Sequence, residues 1–454
     1  MAQTYQGANS GRSRARVRPK TVRARLPVPL WAFMLVMMLP HTIAFYAGPV
    51  LVTGYRLVMI VMAVPILLKL TSGRFRLALP DALLASFSAW SLLCILTNFP
   101  VEQSLERGGQ FFLEVTLAYF VSRAYISNLD EIYALIRPLF IIVVIAFVLA
   151  VPESISHRKP IIELTSELSG IGTGFYYEGT DIRLGLRRAQ AFFENPILYG
   201  LFCATSLSLV WFAEEKLRPR LAKAALIAGA TFVSLSSAPL LAMSSQFVMI
   251  GIEAATRSMR NRVPIVLSGV GILIVALQLF TNSGPIGIII NYLTFNQASS
   301  YNRVLIWDFG LQNINAHPIF GMVPENWERA SWMKVSIDNF WIYTGLISGY
   351  VGWGLLAAGL IMVIWRFNAI PLKLLTPRHI AFRRGWTLMM IAFALTGFSV
   401  MFFGKMQPYF YFMLGIGAAG ASIYAEHAKL AMRAQRDAMR ARRVAPMPDE
   451  AVPA

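Results

Sequence analysis

About twelve apolar runs, each near the ~20 residues a helix needs to cross a hydrocarbon core about 30 Å thick, constrain this chain more than any other feature. They lie near residues 28–47, 49–70, 81–99, 109–127, 136–152, 195–213, 221–238, 239–254, 263–281, 340–365, 386–404 and 407–424. In lipid every backbone amide must find its partner inside the protein, so runs of this length predict helices. Over 454 residues the chain is 56% hydrophobic and only 14% charged, a poor match to a soluble globular protein. The expected fold is all-α and polytopic, with about twelve transmembrane helices spanning 28–424 between basic tails at 1–27 and 425–454. The first run is full length and lacks a small-residue cleavage site, so it is expected to remain as a span rather than be removed as a signal. The two runs flanking Pro239 read as a broken hairpin, and the run closing at Tyr125 carries Glu114 and Arg123.

A net charge of +18 invites a nucleic-acid partner, but the distribution of the bases argues against one. Most of the Lys and Arg residues fall in the two tails and in alternate short connections such as "KLTSGRFR", "EEKLRPRLAK" and "RFNAIPLKLLTPRHIAFRR". All of these lie on one side if both termini are cytoplasmic, as the bias of cytoplasmic loops toward positive charge requires. The basicity therefore reports orientation and contact with membrane lipids, each charge near an anionic surface contributing on the order of 1 kcal/mol. Cys94 and Cys203 sit inside apolar runs as small buried hydrophobes, and neither a disulfide framework nor a Cys/His metal spacing is present.

With that orientation two long connections face outward, about 153–194 and 281–339. Long connections in a compact membrane domain are usually functional or disordered, and these carry ordered patterns. In the first, Arg183, Arg187 and Arg188 follow the Gly-punctuated "GIGTGFYYEGT", in a loop otherwise close to neutral. In the second, Val304, Trp307, Leu311 and Ile314 recur at helical spacing, predicting a helix that lies on the membrane surface or on the bundle, ended by Pro318 and Gly321.

Arg188 and Asp338 each stand a few residues before an apolar run, which places both at the outer interface. The phosphates of a lipid-linked substrate lie at that depth, and a guanidinium suits bidentate phosphate recognition. A carboxylate beside it can take the proton of a sugar hydroxyl as that hydroxyl becomes a nucleophile. These are the minimum parts for glycosyl transfer from a lipid pyrophosphate.

"RAQAFFENPILYG" (188–200), "RVLIW" (303–307), "HPIFG" (317–321) and "DNFWIYTGLISGYVG" (338–352) resemble, in order, motifs of the O-antigen ligase and Wzy-type polysaccharide polymerase superfamily. The resemblance covers roughly residues 50–425, with its sharp motifs confined to a small part of that span. It implies a GT-C-like membrane fold acting on undecaprenyl-pyrophosphate-linked glycans at the periplasmic face of a bacterial inner membrane, without a required metal or other cofactor. It also implies a chain-length regulator as a candidate partner. By the resemblance Arg188 takes the first-loop position that engages the donor pyrophosphate, and Arg303 takes a basic position opening the second-loop helix. The ligase branch has a His-Asn pair followed after nine residues by glycines. Here Asp338 and Asn339 stand in that place, with Gly349 and Gly352 at the kept spacing, which resembles the exopolysaccharide polymerase branch.

The expected site is thus Asp338 and Arg188 as catalytic residues, with Arg183, Arg187, Arg303, Asn339 and His317 contacting substrate. Each has a plainer alternative. Asp338 suits a helix N-cap, Arg188 a headgroup anchor, Arg183 and Arg187 solvated loop charge, Arg303 a partner for Asp308, and His317 a turn residue before Pro318. Glu194 and Glu325 are candidate second carboxylates. Gly345, Gly349 and Gly352 share one helix face and predict a close helix contact. Arg56, inside a span, requires a partner or a polar cavity. The expected activity is polymerisation of lipid-linked repeat units. A ligase that transfers the glycan to lipid A core or another acceptor, and a transporter or flippase, are the alternatives.

Overall fold

The computed structural model describes residues 25–48, 50–72, 77–170, 182–256, 258–259 and 297–444. The first apolar run does not form one spanning helix. α1 (Val28–Val36) rises only about 14 Å, under half the hydrocarbon thickness. Pro40 removes a backbone donor and disfavours helical geometry at Leu39, and the chain turns there. It then enters an antiparallel hairpin of β1 (Ala44–Ala47) and β2 (Val50–Thr53), with Gly48 in its turn at φ +62°.

Helical spans follow: α2 (Gly54–Thr71), α3 (Leu79–Asn98), then α4 (Val101–Phe111) running through a π-helical turn (Phe112–Leu117) into α5 (Ala118–Tyr125). α6 (Leu129–Ala134) and α7 (Ile136–Ser156) lead to the first long connection. The first long connection holds α8 (Pro160–Ser169) and a two-residue-strand hairpin, β3 (Ile182–Arg183) and β4 (Leu186–Arg187). α9 (Pro196–Ala213), α10 (Leu217–Phe232) and α11 (Ser237–Thr256) come next. The break between the two runs around Pro239 falls at 233–236, and Pro239 sits in the first turn of α11, where a missing donor does no harm. The apolar run at 263–281 lies outside the described residues.

The second long connection contributes α12 (Gln297–Ala316), followed by α13 (Phe340–Asn368), α14 (Pro377–Thr396) and α15 (Met406–Val444). Among the described residues six helical stretches are long and apolar enough to cross a membrane: 54–71, 79–98, 129–156, 196–213, 237–256 and 340–368. The protein is accordingly a mostly helical, multi-pass membrane protein.

α9 is buried along nearly its whole length against α7, α10, α11 and α14, while α13 packs on α3 and α15 on α5. A knot of rings, Phe340, Phe393, Phe402 and Phe410, joins the start of α13 to α14 and α15. A smaller outer core forms where α12 lies across α13, with Ile306, Ile314, Trp327, Ile342 and Leu346. The periodicity located α12 correctly, but its buried face is centred on Ile306, Gly310 and Ile314; Val304, Trp307 and Leu311 are only half-buried. The rotation follows from Gly310, where a side chain would overlap Ile342 and which therefore faces α13.

Candidate functional site

The site is built around the entry to α13. Asn339, in extended conformation at φ −155°, caps the helix: its side-chain oxygen accepts the Ile342 amide at 2.9 Å. Its Nδ2 donates to the Phe398 carbonyl at 2.7 Å, and the Phe340 amide donates to the Gly397 and Val400 carbonyls. Asn339 is 1% exposed, and both ends of its amide are committed to this protein's own backbone. The substrate contact expected of it is replaced by a positioning role. Asp338, one residue earlier, is exposed and makes no hydrogen bond among the described residues. The cap that was the alternative role for Asp338 belongs to its neighbour.

The arginines come from the β3–β4 hairpin and the strand-like segment after it. Leu184 and Gly185 both take positive φ, as the tightest hairpin turn demands. Arg183 donates from Nη1 to the Leu235 carbonyl at 2.8 Å, and Arg188 donates from Nη2 to the Ser236 hydroxyl at 2.8 Å. The Ala189 amide donates to the Val233 carbonyl at 3.0 Å. The turn between α10 and α11 is thus a cradle that orients both guanidiniums, and Ser236 is itself tied to the Ser234 carbonyl. Arg187 turns elsewhere, donating to the His157 carbonyl, while its own carbonyl accepts from Ser154.

Arg303, in the second turn of α12, connects these parts. Burial pushes its guanidinium below the ordinary value, Asp338 opposes that shift, and Arg183 adds to it. Arg303 is therefore within electrostatic reach of both Asp338 and Arg183, although the three come from two loops and a helix entry. His317 is not part of the group. It lies fourteen positions beyond Arg303, about 21 Å along and past α12, exposed on the loop that follows.

That loop has another task. α13 is broken at Gly349, which sits at φ 61°, ψ −169° inside an otherwise helical run. A break frees backbone groups that lipid cannot satisfy. The "HPIFG" segment supplies the partners: the Tyr350 amide donates to the Pro318 carbonyl at 2.8 Å, and the Met322 amide donates to the Leu346 carbonyl at 2.6 Å. A side chain on Gly349 would overlap the Pro318 and Ile319 carbonyls, and one on Gly321, at φ 67°, would overlap that of Leu346. Gly345 meets Ile314 of α12. The glycine face does mediate close contact, but mainly with α12 and its following loop. Trp90 and Asn98 of α3 clamp the same region by donating to the Ser348 and Phe320 carbonyls. Two separate sequence motifs are one structural joint, and that joint fixes α12, hence Arg303, relative to Asp338.

Among the described residues two arginines inside the helical bundle are held in buried ion pairs. Arg56 donates to Glu114 from Nε at 2.8 Å and Nη2 at 2.6 Å, Tyr55 adds its hydroxyl, and the π-helical turn presents Glu114. Arg123 forms a second buried pair with Asp81. Sequence reasoning missed a further buried charge. Lys405, between α14 and α15, donates from its backbone amide to Glu194 Oε1 at 3.1 Å and from Nζ to the carbonyls of Phe192 and Leu39. Burial lowers its pKa to about 8 against the opposing charge of Glu194, whose own carboxyl is raised by burial. The available signal was a lone lysine in a connection expected to face outward, where positive charge is normally depleted. Glu325 is exposed and pairs with Arg107 at 2.9 Å. Among the described residues no group of three or more His, Cys, Asp or Glu side chains is placed to hold a metal ion.

No protein-family model matches the chain, and no curated protein matches it either.

Proposed function

We propose that this protein is a membrane glycosyltransferase that polymerises polyprenyl-pyrophosphate-linked oligosaccharide repeats at the outer face of a bacterial inner membrane, with both termini cytoplasmic and a GT-C-like bundle of about twelve spans. The observation that carries the reading is the release of Asp338 from helix capping by Asn339, within electrostatic reach of Arg303, which is itself within reach of Arg183. In the reaction, the acceptor hydroxyl oxygen bonds to the anomeric carbon of the donor glycan. The bond from that carbon to the pyrophosphate oxygen breaks, and polyprenyl pyrophosphate leaves with the electron pair. The acceptor proton passes to Asp338, and Arg188, Arg183 and Arg303 hold the departing negative charge.

An acid rather than a histidine before Asn339 favours repeat-unit polymerisation over ligation to a lipid A core. A transporter has less support: Arg56 and Arg123 are consumed in internal ion pairs, and the break in α13 is filled by the protein's own loop. The test is direct. Purified protein given polyprenyl-pyrophosphate repeat units should yield a ladder of lengthened lipid-linked glycans, and the Asp338→Asn variant none. A ladder of equal length from both proteins would overturn the reading.

A further inference from the structure

At the other end of the bundle from Asp338, a cavity of about 950 Å³ opens between the last turn of α2, the start of α3, the end of α5, the end of α13 and the middle of α15. None of the groups in the candidate glycan site lines it. Three bases do: Lys69, Arg123 and Arg366, against the single lining acid Glu426. Arg123 is held at 3.0 Å from Asp81, with Tyr119 fixing the same carboxylate at 2.7 Å, so this base forms a rigid part of the wall. Lys69 donates once, to the Ala124 carbonyl at 2.7 Å, and its ammonium stands over the Tyr125 ring. An ammonium carries three donors, so Lys69 retains capacity for a ligand oxygen. Arg366 makes no hydrogen bond or ion pair among the described residues, although it is only half-exposed.

The rim is apolar. Leu77, Trp365 and Leu374 line the opening at 67%, 62% and 53% exposure. A soluble phosphate would leave these side chains in water, whereas a lipid would bury them and bring its phosphate to the bases. Trp at such a level is typical of the boundary between hydrocarbon and headgroups.

We infer that this cavity is a binding site for one anionic phospholipid, its headgroup phosphate held by Lys69 and Arg366 and its acyl chains laid along Leu77, Trp365 and Leu374. The lipid would wedge together the ends of α2, α3, α13 and α15 on the face opposite the glycan chemistry. The inference is independent of the reaction catalysed.

Native mass spectrometry of the full-length protein in detergent, titrated with phosphatidylglycerol, phosphatidylcholine or inorganic phosphate, tests it. Wild-type protein should retain one phosphatidylglycerol under activation that strips phosphatidylcholine, and inorganic phosphate should not displace it. The Lys69→Ala/Arg366→Ala variant should bind phosphatidylglycerol roughly tenfold or more weakly, and Lys69→Arg/Arg366→Lys should restore retention. If the double alanine variant does not fold, the single half-exposed change Arg366→Gln should still weaken binding several-fold. Equal retention of the two lipids, equal retention by wild type and the Arg366→Gln variant, or displacement by inorganic phosphate would each overturn the inference.

Discussion

Asn339 accepts the Ile342 amide and caps α13, leaving Asp338 one residue outside the cap, and the two adjacent side chains divide the work of the α13 entry between them. One is buried and structural, the other exposed and uncommitted. Substitution should separate them. Asn339→Ala should destabilise by about 1 kcal/mol for the lost cap, and further for the lost tie to Phe398. Asp338→Asn should leave the unfolding temperature within a degree or two of wild type while abolishing chain growth. A fall in stability for Asp338→Asn as large as for Asn339→Ala would show that the acid holds the helix after all.

Arg188 and Arg183 are oriented by the Ser236 hydroxyl and the Leu235 carbonyl, so the turn between α10 and α11 should tune donor binding without touching donor. Ser236→Ala removes one neutral partner of a guanidinium and should raise the KM for lipid-linked donor a few-fold with kcat little changed. Arg188→Lys keeps charge but loses the planar fork, and should lower kcat/KM by roughly tenfold or more. Steady-state kinetics at varied donor concentration distinguish these patterns. An unchanged KM in both variants would remove Arg188 from the donor site.

Legibility from sequence followed the range of the interactions involved. Apolar run length is local, and it located the helices α2, α3, α7, α9, α11 and α13. It failed at 28–47, where Pro40 and a short hairpin interrupt a composition that reads as one span. The arginine cluster and Asp338 were visible as residues, but the cradle at Leu235 and Ser236 was not. Nothing in "VSLSSAP" marks those two positions until tertiary structure brings Arg183 and Arg188 to them. Which residue caps α13 was not legible, because an Asp-Asn pair before a helix leaves two possible caps, and only backbone geometry decides between them. The joint of "HPIFG" with Gly349 needed two motifs nearly thirty residues apart to be seen as one object.

That joint makes a prediction about glycines. Gly349→Ala must place a Cβ at positive φ against the Pro318 and Ile319 carbonyls, and Gly321→Ala must do the same against Leu346. Each should destabilise by more than the roughly 1–3 kcal/mol of backbone strain alone, and each should loosen α12 and the loop after it. Gly354, five positions beyond Gly349, has nothing within 4 Å of an added Cβ, and Gly354→Ala should be neutral or slightly stabilising. Limited proteolysis between 317 and 337 should accelerate in the first two variants only. Wild-type cleavage rates in Gly349→Ala would mean that the loop does not depend on the break.

The buried Lys405 should leave a signature in the pH dependence of stability. Its native pKa is about 8, below the ordinary 10.5, because burial disfavours the charged form more than Glu194 favours it. Between those values the unfolded chain binds more protons at this group than the native protein does, so stability rises with pH across the window. Below about 8 the group is protonated in both states, and its full penalty, on the order of a few kcal/mol, is present. The unfolding temperature of wild type in detergent should therefore climb from pH 8 toward pH 10 relative to Lys405→Met, in which this group no longer titrates. Glu194 contributes the opposite slope: its raised pKa means the native state holds a proton that the unfolded chain has lost, so stability falls as pH rises above the ordinary carboxylate value. Glu194→Gln should flatten that falling slope. It also removes the charge that draws Lys405 upward, so the lysine should lose its proton at lower pH and the alkaline rise in stability should begin earlier. Parallel pH profiles for wild type and Lys405→Met would show that the lysine reaches water in the native state, contrary to its 2% exposure.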